Sequence, residues 1–161
     1  MQNILHSKNC SNSSGFSMIE LIIVVMLIGI FTAMALTRTD TGLTTIREQI
    51  AIDQITNDID LARSMAFARN EAITIIFDKN QESYGVYNAL GIIKDFPNSN
   101  SDGIISLDNS YLRNLDIKEV SFGGSANLQF QPLGDPVSGG TIELNTKTIT
   151  VEPITGKWSV N

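Results

Sequence analysis

The sequence predicts an α+β fold. One long N-terminal helix, with a membrane-spanning half and an amphipathic half, packs on a mainly antiparallel β-sheet. Three observations carry that expectation. Residues 16–36 form a nearly unbroken apolar run. Residues 44–70 place apolar side chains three and four apart. Beyond residue 70 the pattern turns to short alternating stretches separated by Gly, Pro and Asn.

The chain has 161 residues, enough for one domain with an anchor but not for two ordinary domains. Charged residues are only 17% of it, low for a chain wholly in water. The formal net charge is −6, an acidic balance that argues against phosphate-backbone binding as the main task. The one His (His6) and the one Cys (Cys10) both lie in the first ten residues. A chain that loses this end has no Ser/His/Asp triad, no Cys/His nucleophile, no His or Cys zinc site and no disulfide.

The apolar run, FSMIELIIVVMLIGIFTAMAL, contains a single charge, Glu20. As a helix it is roughly 31 Å long, matching a hydrocarbon core of about 30 Å. Its β-branched residues weaken a helix in water, but in lipid the backbone must satisfy itself internally and the helix wins. Three readings fit: a plain signal-anchor, a secretory signal peptide cut after Ala35 at the A-x-A pattern Ala33-Met34-Ala35, and a span in which Glu20 is functional. The third starts from the cost of an ionisable group in lipid. Against it stands the shallow position of Glu20 near a helix N-terminus, where the macrodipole favours a carboxylate. Lys8 before the run and Arg38 and Arg47 after it leave the positive-inside rule nearly neutral.

Residues 37–43 are polar with one Gly and read as the emergence from the bilayer, within a helix continuation spanning 37–70. In its second part Ile52, Ile55, Ile59, Ala62 and Ala66 form a stripe, with Ile46 and Ile50 leading in. Asp58 and Asp60 are two apart and therefore on different faces, so they form no acid/base pair and read as a solvated face. The β-rich region, 71–161, offers strands at 72–77, 83–88, 117–122, 127–131, 141–144, 148–152 and 157–160. Residues 145–147 read as a hairpin connection, 153–156 as a turn and 132–140 as a loop. The polar block 95–114 reads as a long surface loop. Within it Asn98, Asn100 and Asp102 precede Gly103 at alternate positions, as at the start of a calcium loop, with Asp108 near the place where a bidentate Glu is wanted. A solvated, turn-rich loop explains the same residues, so the expectation is no metal and no cofactor, with calcium as the weak alternative. Trp158 beside Lys157 has the chemistry to stack on a base, but without a basic cluster it reads as a strand Trp packed on the core.

Gly15-Phe16-Ser17-Met18-Ile19-Glu20-Leu21 ahead of the apolar run closely resembles the class III signal of type IV pilins and type II secretion pseudopilins. The resemblance implies a leader of residues 1–15, cleavage after Gly15 by a prepilin peptidase, methylation of the new N-terminal Phe16, and Glu20 as the fifth mature residue. In that family Glu20 of one subunit pairs with the Phe16 amine of its neighbour. Such a pair gains strength in low dielectric. Two features depart from the family pattern: Lys8 is the only basic side chain of the leader, and no Pro occurs before Pro97. Residues 60–70, DLARSMAFARN, together with FQPLG at 130–134 and GGTIEL at 139–144, are similar to the GspH/FimT group of minor pseudopilins. The resemblance implies a non-enzymatic subunit of a type II secretion pseudopilus. It would be held in the bacterial inner membrane by a single pass, with its globular domain in the periplasm. Its partners would be other pseudopilins or pilins, the prepilin peptidase and the inner-membrane assembly platform. The alternatives are a FimT-like minor pilin of a type IV pilus, serving assembly or DNA uptake, and a soluble domain released after Ala35.

Overall fold

The computed structural model describes residues 17–109, 111–112 and 115–161, with the backbone alone for residues 36–41. Gly15, Phe16 and the whole leader lie outside the described residues. The chain forms two units, Met1–Asp40 and Thr41–Asn161. A helix, α1, runs from Met18 to Arg69 and contributes to both.

In the first unit α1 begins where the Ser17 carbonyl accepts the amides of Glu20 (3.0 Å) and Leu21 (3.2 Å). Glu20 sits in the first turn, where the orphan amides favour an acid. Every described side chain from Met18 to Ala35 is exposed, an apolar surface that water does not solvate favourably. Thr32 hides its hydroxyl by donating to the Ile28 carbonyl at 2.6 Å.

In the second unit the spacing of Ile52, Ile55, Ile59, Ala62 and Ala66 does what it predicts: all five are buried. Ile46 and Ile50 are not. They are 59% and 49% exposed, because the side chains that meet the sheets here are Glu48, Ala51 and Ile52, which turn positions 46 and 50 outward. The helix stops at Asn70, which takes φ +52, while the Glu71 amide reaches back to the Ala66 carbonyl. This is a Schellman arrangement with Asn in the left-handed position.

Among the described residues nine strands follow: β1 Ile73–Asp78, β2 Ser83–Asn88, β3 Gly91–Ile92, β4 Ile104–Ser106, β5 Glu119–Phe122, β6 Asn127–Phe130, β7 Gly140–Glu143, β8 Thr148–Val151 and β9 Trp158–Val160. They make two antiparallel sheets rather than one. The first has the order β3-β2-β1-β6, with β4 also on β2; the second runs β5-β7-β8-β9. Alternate residues of β1 (Ile73, Ile75, Phe77) and of β8 (Ile149, Val151) join the helix stripe in one core.

The block 95–114 is not the surface loop its composition suggests. It contains β4 and buries Phe96, Ile105, Leu107 and Leu112. Isolated apolar residues among polar ones show no period, yet each can fill a place in a core. Glu82, held at φ +44 between β1 and β2, ties down the far part of this block. Its carbonyl accepts the Leu107 amide at 2.7 Å and its carboxylate accepts the Ile117 amide at 2.5 Å.

Candidate functional site

The first candidate is the anchor end of α1. Of the residues expected to act there, Glu20 is described and Gly15 and Phe16 are not. Glu20 is exposed, as are its apolar neighbours on every side of the helix. Glu20 is the only charged residue among the described side chains from Met18 to Ala35. A carboxylate so placed has no counter-charge within this stretch of helix. In lipid it requires one from elsewhere or a shallow seat near headgroups.

The second candidate is the polar seam between α1 and the sheets, which sequence reasoning missed. Glu48 is 2% exposed and closes on the β7–β8 hairpin. Its carboxylate accepts the amides of Thr146 (2.7 Å) and Lys147 (3.0 Å) and the Thr146 hydroxyl (2.6 Å). Burial by itself raises the pKa of such a group. The Thr146 and Lys147 bonds and the nearby ammonium outweigh it and hold Glu48 below the usual carboxylate value.

One helical face further on, Asp58 accepts the Tyr84 hydroxyl at 2.6 Å. Burial pushes Asp58 up, opposed by that hydrogen bond, and pushes the phenol up as well, reinforced by the adjacent carboxylate. Asp58 is therefore no part of a solvated face, whereas Asp60 stays exposed and accepts the Trp158 indole N–H at 3.1 Å. Trp158 itself packs half-buried against the core. The spacing did contain a signal: Asp58 stands three after Ile55 and four before Ala62, on the flank of the apolar stripe.

The calcium-loop residues have local work of their own. Asn100 Oδ1 accepts the amides of Asp102 and Ile104, both at 2.9 Å, and Gly103 takes φ +85. This is an Asx turn, which uses the Asn100 side chain to hold its own backbone. Asn98 sits at φ +60, and Asp108 gives its carbonyl to the Ser106 hydroxyl at 3.3 Å. Among the described residues no group of three or more His, Cys, Asp or Glu side chains is placed to hold a metal ion. Glu82 feels three other carboxylates. Burial raises its pKa, the Ile117 amide opposes this, and Asp116, Asp108 and Asp78 add repulsion.

An exposed apolar anchor helix bearing one acid, leading into a helix laid against antiparallel sheets, defines a pilin-like protein. The chain belongs to the GspH family: the sequence model described as Type II transport protein GspH matches residues 51–160. A second model, the prokaryotic N-terminal methylation motif, matches residues 10–36. The family is one of structural pilins and pseudopilins that assemble with other pilins and are processed by prepilin peptidase. Among solved structures the chain is similar to the type IV minor pilin FimU of Pseudomonas aeruginosa in two crystal forms. In one the identity is 15%, covering 70% of this chain and 87% of that one, with a TM-score of 0.48. In the other it is 16%, covering 70% and 91%, with a TM-score of 0.45. The family assignment rests on the sequence matches and not on these. No curated protein matches the chain.

Proposed function

We propose that the chain is a minor pseudopilin of a type II secretion system, a structural subunit of a periplasmic pseudopilus anchored in the inner membrane. The observation that carries this reading is Glu20, the only charge on the described apolar surface of Met18–Ala35, five residues beyond Gly15. Cleavage after Gly15 would leave a positive amine on Phe16. The Glu20 carboxylate of one subunit and the Phe16 amine of the next would then satisfy each other in a medium where neither is tolerated alone. The pair recruits each incoming subunit and sets its axial position. The head contributes subunit-specific contacts and no chemistry, and it needs no cofactor; the 98–108 loop is a turn.

Two features support the anchor over release after Ala35: α1 continues through Ala33–Ala35 to Arg69, and the methylation motif spans the site. Mass spectrometry of the mature N-terminus tests the proposal. N-methyl-Phe16 is the expected product; a start at Leu36 or an intact Met1 defeats the reading. A deletion strain assayed for protein secretion and for twitching separates the pseudopilus from the type IV pilus. Loss of secretion alone is expected.

A further inference from the structure

The second unit presents an unused surface where α1 meets the β6–β7 loop. Phe67 and Leu133 are 68% and 72% exposed, far more than large apolar side chains need be. Between them Gly134, at φ +81, lies against α1; a Cβ there would stand 3.4 Å from the Arg63 carbonyl oxygen and 3.7 Å from the Phe67 Cβ. That close approach brings the Gly134 carbonyl to the Arg63 Nε at 3.1 Å and fixes the guanidinium. Its two terminal nitrogens make no further bond among the described residues. The result is an open groove of about 480 Å³ with apolar jaws and a half-buried, oriented fork of donors. Asp60 also lines the groove and is exposed, its Oδ2 accepting the Trp158 indole N–H.

We propose that this groove docks a carboxylate flanked by an apolar side chain on the head of a neighbouring pilin-like subunit. The argument is complementarity. A planar guanidinium held from behind by a carbonyl matches a carboxylate bidentately. Phe67 and Leu133 exclude water around that pair, which is how a central charged contact gains affinity. A head of acidic balance offers such carboxylates: residues 41–161 here carry 15 acidic against 9 basic residues, the 17 and 11 of the chain less Glu20, Asp40, Lys8 and Arg38.

The inference rests on the filament reading, and the experiment separates the two. Photoreactive p-benzoylphenylalanine replaces Phe67 in the full chain, expressed in cells that make its partner subunits; in parallel it replaces Val25 in the apolar helix. Irradiation is expected to link position 67 to a pilin-like subunit through a peptide containing Asp or Glu. Arg63→Gln is expected to lower that yield at least about tenfold, as loss of one member of a desolvated charge pair does, and to spare the Val25 product. With Arg63 in place, absence of the position-67 product beside an intact Val25 product overturns the docking site and leaves the filament standing. Loss of both overturns the filament reading and the docking site with it. A position-67 product with lipid, with a peptide lacking a carboxylate, or indifferent to Arg63→Gln also overturns the docking site. If Arg63→Gln fails to accumulate, Leu133→Ser changes only exposed surface and is read by the same criterion.

Discussion

Tyr84 and Asp58 meet at 2.6 Å where α1 crosses β2, each less than 5% exposed. A phenol and a carboxylate sealed together in this way are interdependent. Tyr84→Phe leaves Asp58 buried with its principal donor gone and should destabilise the head by about 2–3 kcal/mol at pH 7. Asp58→Asn keeps an acceptor for the phenol, removes the buried charge and should change stability by less than about 1 kcal/mol. Denaturant unfolding of the full chain in detergent, followed by fluorescence of the one Trp, distinguishes these outcomes. Equal losses for the two variants would refute the account.

Glu48 and Asp58 should respond to acid in opposite directions. Glu48 has a folded pKa below its ordinary 4.5. Its contribution is present above about pH 4.5 and is lost as pH falls through the lower folded value. Glu48→Gln should therefore cost about 1–2 kcal/mol at neutral pH and almost nothing well below pH 4. Asp58 is raised from 3.8, so protonation favours the folded state. Its favourable term is complete below 3.8 and disappears as pH rises through the folded value. The gap between the parent chain and Asp58→Asn should shift in favour of the parent as pH falls. Unfolding curves between pH 3 and pH 7 test both signs.

How far these residues were legible differs by kind. The stripe from Ile52 to Ala66 is a sum over five positions, so its period shows through. Asp58 at least stands on the flank of the stripe, whereas Glu48 is a single carboxylate on a helix, where a buried one spells the same as a solvated one. Only the partner tells them apart, and Thr146 is 98 residues from Glu48 in the chain. Phe96, Ile105, Leu107 and Leu112 were lost for the complementary reason: each enters the core singly, so no period marks them. Strands β1, β2 and β8 were readable because alternation and turn residues agree. The anchor-end residues stand out because Glu20 interrupts an otherwise apolar text.

Gly140 and Gly124 differ in why they are glycine. A Cβ on Gly140 would lie 1.9 Å from the Ser121 carbonyl oxygen and 2.8 Å from the Phe122 Cα, both backbone atoms of the paired strand β5. Gly140→Ala must force β5 and β7 apart and should cost about 3 kcal/mol or more. Gly124→Ala meets open space but sits at φ +89 and should cost only about 1 kcal/mol. Melting temperatures of the two variants should fall in that order; a reversed order would contradict the strand packing.

Asn100 is predicted to act through its turn. Asn100→Ala removes an acceptor used by two amides and should lower stability by about 1 kcal/mol, with or without calcium. Millimolar calcium or a chelator should leave the melting temperature of the parent chain unchanged. A calcium-dependent rise that Asp102→Ala abolishes would instead make the loop a cation site.

Glu20→Ala should leave membrane insertion intact, since it removes the one charge of the span. Incorporation into filaments should fall sharply. Membrane fractionation and sheared-filament blots measure the two separately, and normal incorporation of the variant would end the pairing mechanism.

The indole of Trp158 reaches back across 98 residues to Asp60. Sheet closure by β8 and β9 thus uses strands far along the chain from the helix they help to cover. Long-range closures of this kind are slow, and until they form, the Ile52–Ala66 stripe has no complete cover. The helix stripe must therefore wait, half-dressed, for distant strands to arrive. A change within β8 or β9 would act first on the timing of maturation and only afterwards on the finished head.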